Sequence, residues 1–419
     1  MPNINTNSGT KAMRKIQLGV ETTPGTPVVA TALWRGVGVA EDSRLISFPK
    51  EDIGVAPGVD RSYLASLGGK INLAPIEETF EQGPYLFEMG CKKLGTGVAD
   101  GGGTGKIYTY PFWSTPANKL TQSLLGIRTV EAGDDMGLEI MEFAYADSIV
   151  LDAKGDGGWM MSGTLMGRQL TAGLAVTATT ISFDASHHIL DSGNGLAGFA
   201  TPIIIKVIGS NLNDGIYTVT TTAAGQLTVT ETTVTESAGN TITIIKYFTG
   251  GPAGLAVPTV EDIAFGGTKL FVDPVGGTLG ATQVTNSLLS CTVTIKTGIV
   301  GKDTGDGVYY FSHLEFVPED ITVKMSFLYN GNAQGERANF RSQTPRLIRV
   351  QSQGSALTTP GAYSYKTRNI DLAGKWDKFD PIGEQNGSDI ISGSFHAKYN
   401  ATAAKYCVVT YVNQLASLP

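Results

Sequence analysis

The sequence predicts a mostly β protein, and its composition supports this fold class in three ways. Glycine accounts for 53 of the 419 residues, and charged residues make up only 16% of the chain. Runs rich in Thr, Val and Ile alternate apolar and polar residues between tight turns, a pattern typical of half-buried strands. The predicted strands include Leu124–Val130, Leu138–Phe143, Ser148–Leu151, Cys291–Lys296 and Ile321–Phe327. Because an ordinary domain has roughly 100 to 200 residues, the length predicts two or three modules.

Charge and cysteine content exclude several classes of function. The net charge is −7 and the pI is near 5.2, which argues against adhesion to nucleic acid, because phosphate binding needs clustered Lys or Arg. The cysteines are odd in number and far apart, so we expect buried free thiols at Cys91, Cys291 and Cys407. No apolar run approaches the roughly 20 residues of a membrane helix, and the start lacks a signal-peptide pattern. We therefore expect neither membrane insertion nor secretion.

Three features invite a catalytic or metal-binding interpretation, and each departs from the required pattern. Gly101–Lys106 suggests a phosphate-binding loop, but Ile107 stands where that motif needs Ser or Thr, so a flexible turn is expected. Asp152–Gly157 suggests a calcium loop, but Lys154 replaces a ligand oxygen, so a β-turn is expected. No metal-ligand spacing joins the four histidines, which are His187, His188, His313 and His396. We expect no enzyme activity, metal or cofactor.

Changes in composition divide the chain into five segments. A polar start leads into an arm that contains Pro and Gly, and past Thr171 the chain becomes rich in Thr, Ala, Ile and Val with few charges. Gly250-Gly251-Pro252 marks the end of this charge-poor stretch. The predicted segments are an N-terminal arm (1–36), domain 1 (37–171), an inserted β-module (172–250), a linker (251–261) and domain 2 (262–419).

Two parts of the chain repeat the order strand then helix. A helix predicted over Gly83–Lys93 follows a strand, and a second helix, Asn332–Gln343, follows the strand Ile321–Phe327. Met160–Leu165 and Ile390–Phe395 also share one pattern, which is two apolar residues, Ser-Gly, a hydroxyl residue and an apolar residue. Because the order of elements agrees as well, the sequence predicts two related domains, each with a flanking helix.

The stretch from Lys15 to Gly36 is the most distinctive part of the sequence. Its prolines favour extended backbone and Trp34 offers a large apolar anchor, so we expect an arm that docks on a neighbour. The stretch resembles the major tail tube proteins of long-tailed bacteriophages, in which Gln-x-Gly-x-Glu-Thr-Thr-Pro-Gly-Thr followed by Trp-Arg-Gly recurs. The residues that the resemblance assigns to an arm between rings are Gln17, Gly19, Glu21, Thr22, Pro24, Gly25, Trp34 and Arg35.

The resemblance implies a structural function and a fold of two related tail-tube β-sandwich domains, each with a flanking α-helix. In that family, subunits close into rings with a continuous inner β-barrel, and the rings stack through the arm and a long hairpin, here expected over Leu45–Leu73. The bore conducts DNA without binding it specifically. The implied partners are other copies of this chain, a tape measure protein, and the tail terminator and tip proteins. The implied location is the virion, after assembly in the host cytoplasm.

The predicted duplication bears on the number of subunits. An unduplicated tube subunit of this family forms rings of six, so a chain that fuses two copies is expected to form rings of three with pseudo-sixfold symmetry. Hexameric rings of complete chains are the alternative. Within the inserted module, Ile205–Val219 resembles a small β-module of phage structural proteins. We expect this module to face outward, where insertions are tolerated.

Residues 131–142 contain five carboxylates and no cation. In a glycine-rich loop such a cluster is typical of a solvated face, although a pair of carboxylates is also what a glycosidase uses. In a tail tube these acids would instead face the bore, where repulsion keeps DNA from adhering. The residues concerned are Glu131, Asp134, Asp135, Glu139 and Glu142.

Two other classes of function stay open from the sequence. One is a different virion component, such as a capsid-decoration protein. The other is a glycan-binding or hydrolase module of a tail tip, which the β-rich segment 172–250 suggests.

Overall fold

The computed structural model describes residues 11–50, 60–114, 125–134, 136–251, 254–257 and 259–418. Strands dominate these residues, which confirms the predicted mostly β class. The chain folds into two compact units. Unit 1 comprises Met1–Ile71, Arg128–Ala144 and Gly167–Val257, and unit 2 comprises Asn72–Ile127, Tyr145–Met166 and Pro258–Pro419.

Most elements are strands of three to ten residues, and two helices interrupt them in the described part of the chain. Up to residue 172 the elements are β1 (Lys15–Val20), β2 (Ala32–Trp34), β3 (Gly38–Asp42), β4 (Leu45–Ser47), β5 (Tyr63–Ser66), β6 (Gly69–Glu77), α1 (Gly83–Gly90), β7 (Val98–Ala99), β8 (Lys106–Pro111), β9 (Arg128–Gly133), β10 (Leu138–Lys154), β11 (Met160–Gly167) and β12 (Gln169–Ala172). The next seven strands are β13 (Ala175–Ala178), β14 (Ile181–Asp184), β15 (His188–Asp191), β16 (Ile203–Ile208), β17 (Gly215–Ala223), β18 (Gln226–Val229) and β19 (Ile242–Lys246). The remaining elements are β20 (Thr268–Pro274), β21 (Gln283–Val284), β22 (Leu288–Lys296), β23 (Ile299–Lys302), β24 (His313–Phe316), β25 (Asp320–Leu328), α2 (Gly331–Arg341), β26 (Arg346–Ala356), β27 (Tyr365–Phe379), β28 (Gly383–Gln385), β29 (Ser388–Ala397) and β30 (Cys407–Asn413).

The described part of unit 1 contains two larger sheets and the two-stranded ribbon β4–β5. The first has the antiparallel order β2–β1–β9–β10–β12, in which Gln17 lies opposite Glu131 and Met141 lies opposite Leu170. The second is a seven-stranded sheet in the order β13–β19–β16–β17–β18–β15–β14. It has its own apolar core, which includes Ile181, Phe199 and Ile244. Residues 175–246 thus form a sheet and a core within unit 1.

Unit 2 contains the longest sheet, in the order β11–β10–β22–β25–β29–β27–β26–β20–β21. Strands β30, β8 and β7 extend it from β27. The predicted strands Cys291–Lys296 and Ile321–Phe327 lie in β22 and β25, where buried residues alternate with half-buried or exposed ones as expected.

Both predicted helices are present, with shifted ends. The side chain of Asn330 accepts hydrogen bonds from the backbone N–H groups of Asn332 and Ala333, and therefore α2 begins at Gly331. All eight residues of α1 are buried, so this helix is covered on every side. Glu88 is buried there because its carboxylate accepts the backbone N–H groups of Leu94 and Gly95 beyond the helix end.

The strands predicted over Leu138–Phe143 and Ser148–Leu151 form the single long strand β10. Two register shifts, between Met141 and Ala144 and between Ala146 and Ser148, interrupt its alternation and explain why the pattern predicted two strands. The strand predicted over Leu124–Val130 is also displaced. Its start lies outside the described residues, and β9 runs from Arg128 to Gly133.

The order of elements repeats along the chain. The two-stranded ribbon β4–β5 precedes β6 and α1, and a second ribbon, β23–β24, precedes β25 and α2. Strand β11 pairs with both β6 and β10, and β29 pairs with both β25 and β27. The two similar segments Met160–Leu165 and Ile390–Phe395 lie in β11 and β29, at matching places in this order.

Candidate functional site

The N-terminal stretch folds as a core strand of unit 1. Strand β1 lies between β2 and β9, and Gln17 and Trp34 are almost fully buried. Gly19 is required by packing, because a Cβ at this position would lie 2.5 Å from the carbonyl oxygen of Val29. The segment therefore obtains its burial from its own chain.

The carboxylate of Glu21 is the centre of this region. Oε1 accepts hydrogen bonds from Thr129 Oγ1 at 2.9 Å and the Phe143 backbone N–H at 2.8 Å, and Oε2 accepts the Gly25 backbone N–H at 2.6 Å. Phe143 lies at the register shift of β10 with φ of 54°, and at this bulge its backbone N–H bonds to the carboxylate of Glu21. Glu21 thus ties the bulge of β10 to the N-terminal stretch.

The turn after Glu21 packs against the same bulge. Gly25 has φ of 83°, and a Cβ there would overlap the guanidinium of Arg168. That guanidinium lies 4.3 Å from the ring centroid of Phe143. Glycine at position 25 thus permits a stacked contact between Arg168 and Phe143.

These contacts all lie within one chain. Strands of the same unit cover Gln17, Gly19, Glu21 and Trp34, so docking between subunits is not needed to bury them. A role of this stretch between rings stays a prediction. The remaining predicted residues differ in exposure. Gly25 is half-buried, whereas the exposed residues are Thr22, Pro24 and Arg35.

Glu131 does not lie on a solvated face. This residue lies in β9, is 1% exposed, and forms an ion pair of 3.1 Å with Lys246 of the module. Its carboxylate also accepts hydrogen bonds from the N–H and hydroxyl of Thr249 at 3.3 Å. Gln17 donates to the carbonyl of Thr249 at 2.9 Å. Glu131 and Gln17 therefore attach the end of the module to the first sheet.

The other predicted acids have separate environments. The side chain of Asp134 accepts the backbone N–H groups of Met136 and Gly137, which closes the turn between β9 and β10. Glu139 is exposed and Glu142 is half-buried, and burial raises the pKa of both. Asp135 lies outside the described residues. The predicted acids thus do not form one solvated cluster.

Unit 2 contains a buried polar network that no pattern in the sequence predicted. Glu78 and Arg368 form a fully buried ion pair, and Tyr411 Oη donates to Glu78 Oε1 at 2.6 Å. The Arg368 guanidinium stacks 3.9 Å from the ring centroid of Trp159 and donates to Ser352 at 2.8 Å. Burial raises the pKa of Tyr411 well above its ordinary value. No substrate can reach these groups, so the network is structural.

A second network anchors α2. Arg346 donates to both oxygens of Glu336, at 2.8 and 3.2 Å, and Trp376 Nε1 donates to the same carboxylate at 2.8 Å. The only signal for such networks in the sequence is a charged residue beside an apolar stretch, and that signal does not identify its partner.

The glycine-rich run at 101–106 and the segment Asp152–Gly157 form turns, and the cysteines are buried thiols. In the glycine-rich turn, Gly103 N–H bonds to the Asp100 carbonyl, and Thr104 N–H bonds to the Thr359 carbonyl, as expected for a turn. Gly157 N–H bonds to the Lys154 carbonyl in the other predicted turn. All three cysteines are free and buried, as predicted. No group of three His, Cys, Asp or Glu in the described part of the chain has an arrangement that could hold a metal ion.

Unit 1 also contains a half-open cavity of about 500 Å³, lined mostly by apolar side chains such as Val29, Leu174 and Ile203. Its charged lining residue, Lys246, is already paired with Glu131. The cavity volume falls in the range of small-molecule pockets, but its polar groups are engaged in the protein's own contacts.

The ribbon β4–β5 is the strongest candidate for an interaction surface. Among the described residues it pairs with no other sheet, and several apolar side chains on it are exposed. The exposed fractions are 59% for Leu45, 46% for Ile46, 72% for Phe48 and 57% for Tyr63. An isolated two-stranded hairpin is marginally stable in water, and a cluster of exposed apolar residues marks a binding surface. This ribbon lies within the predicted hairpin Leu45–Leu73.

Comparison with protein-family models and with curated protein sequences finds no match for this chain. Among the described residues, no helix combines the length and the apolar character needed to cross a membrane.

Proposed function

We propose that this chain is a self-assembling structural protein, the major tail tube subunit of a long-tailed bacteriophage, and not an enzyme. The observation that carries the proposal is the ribbon β4–β5, which displays Ile46, Phe48 and Tyr63 to solvent without support from another sheet. Burial of apolar surface drives association, so a second copy of the chain that covers this ribbon gains stability. The resemblance of residues 15–36 to tail tube proteins supports the same function.

The repeated order of ribbon, strand and helix supports a ring with three chains. Each chain carries the order twice, once through β6 and α1 and once through β25 and α2. Six similar parts therefore arise from three chains, and the ring has pseudo-sixfold symmetry. Rings of six complete chains are the alternative stoichiometry.

In this proposal the stacked rings form the conduit through which DNA leaves the virion. The net charge of −7 disfavours adhesion of DNA to the wall. The protein assembles in the host cytoplasm and resides in the phage tail. Its partners are other copies of itself, the tape measure protein, and the terminator and tip proteins.

Electron microscopy of the purified full-length chain tests the proposal. We expect stacked annuli, and averaged cross-sections with threefold symmetry. The double substitution Ile46→Ser and Phe48→Ser removes two exposed side chains, so it is expected to abolish stacking and leave the fold intact. Val98→Ser is the matched control, because Val98 is 69% exposed and lies outside the ribbon. A wild-type chain that stays monomeric at high concentration would refute the proposed assembly.

A further inference from the structure

Unit 1 carries two apolar surfaces that are open to solvent. One is the ribbon β4–β5, on which Ile46 is 46% and Phe48 is 72% exposed. The other is the half-open cavity of about 500 Å³, whose wall includes Val29 and Leu174, at 61% and 36% exposed. Because Phe48 is so exposed, the chain does not fill its own cavity with this ring. One surface projects apolar side chains and the other is concave and apolar, so they complement each other.

The cavity suits an apolar side chain better than a polar ligand. Its charged lining residue, Lys246, is paired with Glu131 at 3.1 Å. The N–H and hydroxyl of Thr218, another lining residue, donate to Glu231 at 2.6 and 2.9 Å. A polar ligand would have to displace these contacts, whereas an apolar group needs no new hydrogen bond. A cavity of this volume holds a drug-sized molecule, so it has room for the ring of Phe48.

Charged residues flank the apolar part of both surfaces. The paired strands β4 (Leu-Ile-Ser) and β5 (Tyr-Leu-Ala-Ser) contain no charge. The exposed charged residues near the strand ends are Asp42, Arg44, Lys50, Asp60 and Arg61. At the cavity, Glu231 lies next to Thr218, which is itself exposed. An apolar centre with a charged rim is the usual composition of a protein–protein contact, because rim charges keep their contact with water.

We propose that the ribbon β4–β5 of one copy inserts Phe48 and Ile46 into the unit 1 cavity of a second copy in the next ring. This inference rests on the proposed stacking of rings and names the surface that receives the ribbon. The contact joins two different surfaces, so each chain inserts one ribbon and receives another. Such a heterologous contact can continue from ring to ring, as a tube requires.

Burial of the Phe48 ring supplies the affinity of each contact. Full burial of such a side chain favours association by about ten- to a hundredfold. A single contact of this size is weak. The contacts made by all chains of one ring act together, however, so the avidity between two rings greatly exceeds the affinity of one contact.

Substitutions in the wall of the cavity test this inference on the full-length chain. Ala200→Trp places a large side chain at an exposed position of the wall. It is expected to raise the concentration needed for stacking by about tenfold or more and to leave the melting temperature unchanged. Ala197→Trp is the matched control, because Ala197 is also exposed and lies outside the lining. Val29→Asp is a second cavity variant, which adds a charge to the wall, and the same loss of stacking is expected.

Mixing two variants tests the direction of the contact. The ribbon variant, Ile46→Ser with Phe48→Ser, keeps its cavity, and Ala200→Trp keeps its ribbon. Neither is expected to stack alone. Mixed together they should form pairs that grow no longer, because the intact ribbon enters the intact cavity and no further contact is available. Sedimentation velocity and negative-stain electron microscopy distinguish pairs from single rings and from long stacks.

The outcomes separate the inference from the proposed function. A wild-type chain that forms neither rings nor stacks would overturn both. Wild-type stacks that Ala200→Trp and Val29→Asp form equally well would overturn the inference alone, since the ribbon would then dock elsewhere. A mixture of the two variants that stays unpaired would also overturn the inference alone.

Discussion

Replacement of Glu21 by Ala tests whether the distinctive N-terminal stretch serves the fold of its own chain. The substitution removes an acceptor that holds the Thr129 hydroxyl and the backbone N–H groups of Phe143 and Gly25. A buried donor left without a partner costs about 1–3 kcal/mol. Gly25 is half-buried, so water can replace one of the three bonds. We therefore expect a loss of roughly 3–5 kcal/mol in the free energy of unfolding.

Urea denaturation followed by the fluorescence of buried tryptophan measures this loss as a lower midpoint with an unchanged slope. Amide hydrogen exchange gives a local readout, because the Phe143 N–H bonds to Glu21 and is expected to lose protection in the variant. Thr22→Ala is the matched control, since Thr22 is the adjacent residue and is exposed. The reasoning is refuted if Glu21→Ala retains wild-type stability and Phe143 protection while only tube assembly fails. That result would assign Glu21 to contacts between subunits.

Three further predictions concern stability. Burial raises the pKa of Glu319 to about 7 from its ordinary value of 4.5, so the stability that its protonated form contributes is present below pH 4.5 and is lost as the pH rises through 7. Because Glu319 is partly exposed, we expect the free energy of unfolding of the wild type to fall by about 1–2 kcal/mol between pH 4.5 and 8. Glu319→Gln should abolish this fall, as measured by urea unfolding across the same pH range. Glu131→Gln should lower the free energy of unfolding by about 2–3 kcal/mol in thermal melts, because it leaves Lys246 partly buried without its ion partner. Glu139→Gln, at an exposed site, should match the wild type in these melts. Gly25→Ala should lower the free energy of unfolding by about 1–3 kcal/mol, because the position has a positive φ and the new Cβ displaces Arg168. Calorimetry that shows the same stability as the wild type would contradict this packing.

Sequence pattern determined the class of secondary structure because alternation depends on which face of each strand is buried. The strands β22 and β25 were predicted to within three residues at each end, since each has one apolar and one polar face. The ribbon β4–β5 was also predicted, from short apolar segments separated by glycine and proline. The pattern did not predict β10 as one strand, because bulges shift its alternation. Nothing in the local sequence marks the bulge at Phe143, because the carboxylate that accepts its N–H belongs to Glu21, more than a hundred residues away.

Tertiary structure alone decided the roles of the charged residues. Glu131 stood among acids in the sequence, and the cation that neutralises it, Lys246, is 115 residues away. Glu78 and Arg368 are separated by 290 residues and meet in a fully buried pair. Local sequence sets backbone preference and the direction in which a strand faces, because both depend on neighbouring residues. The partner of a buried charge depends on which distant strands pack together, and only the folded chain determines that.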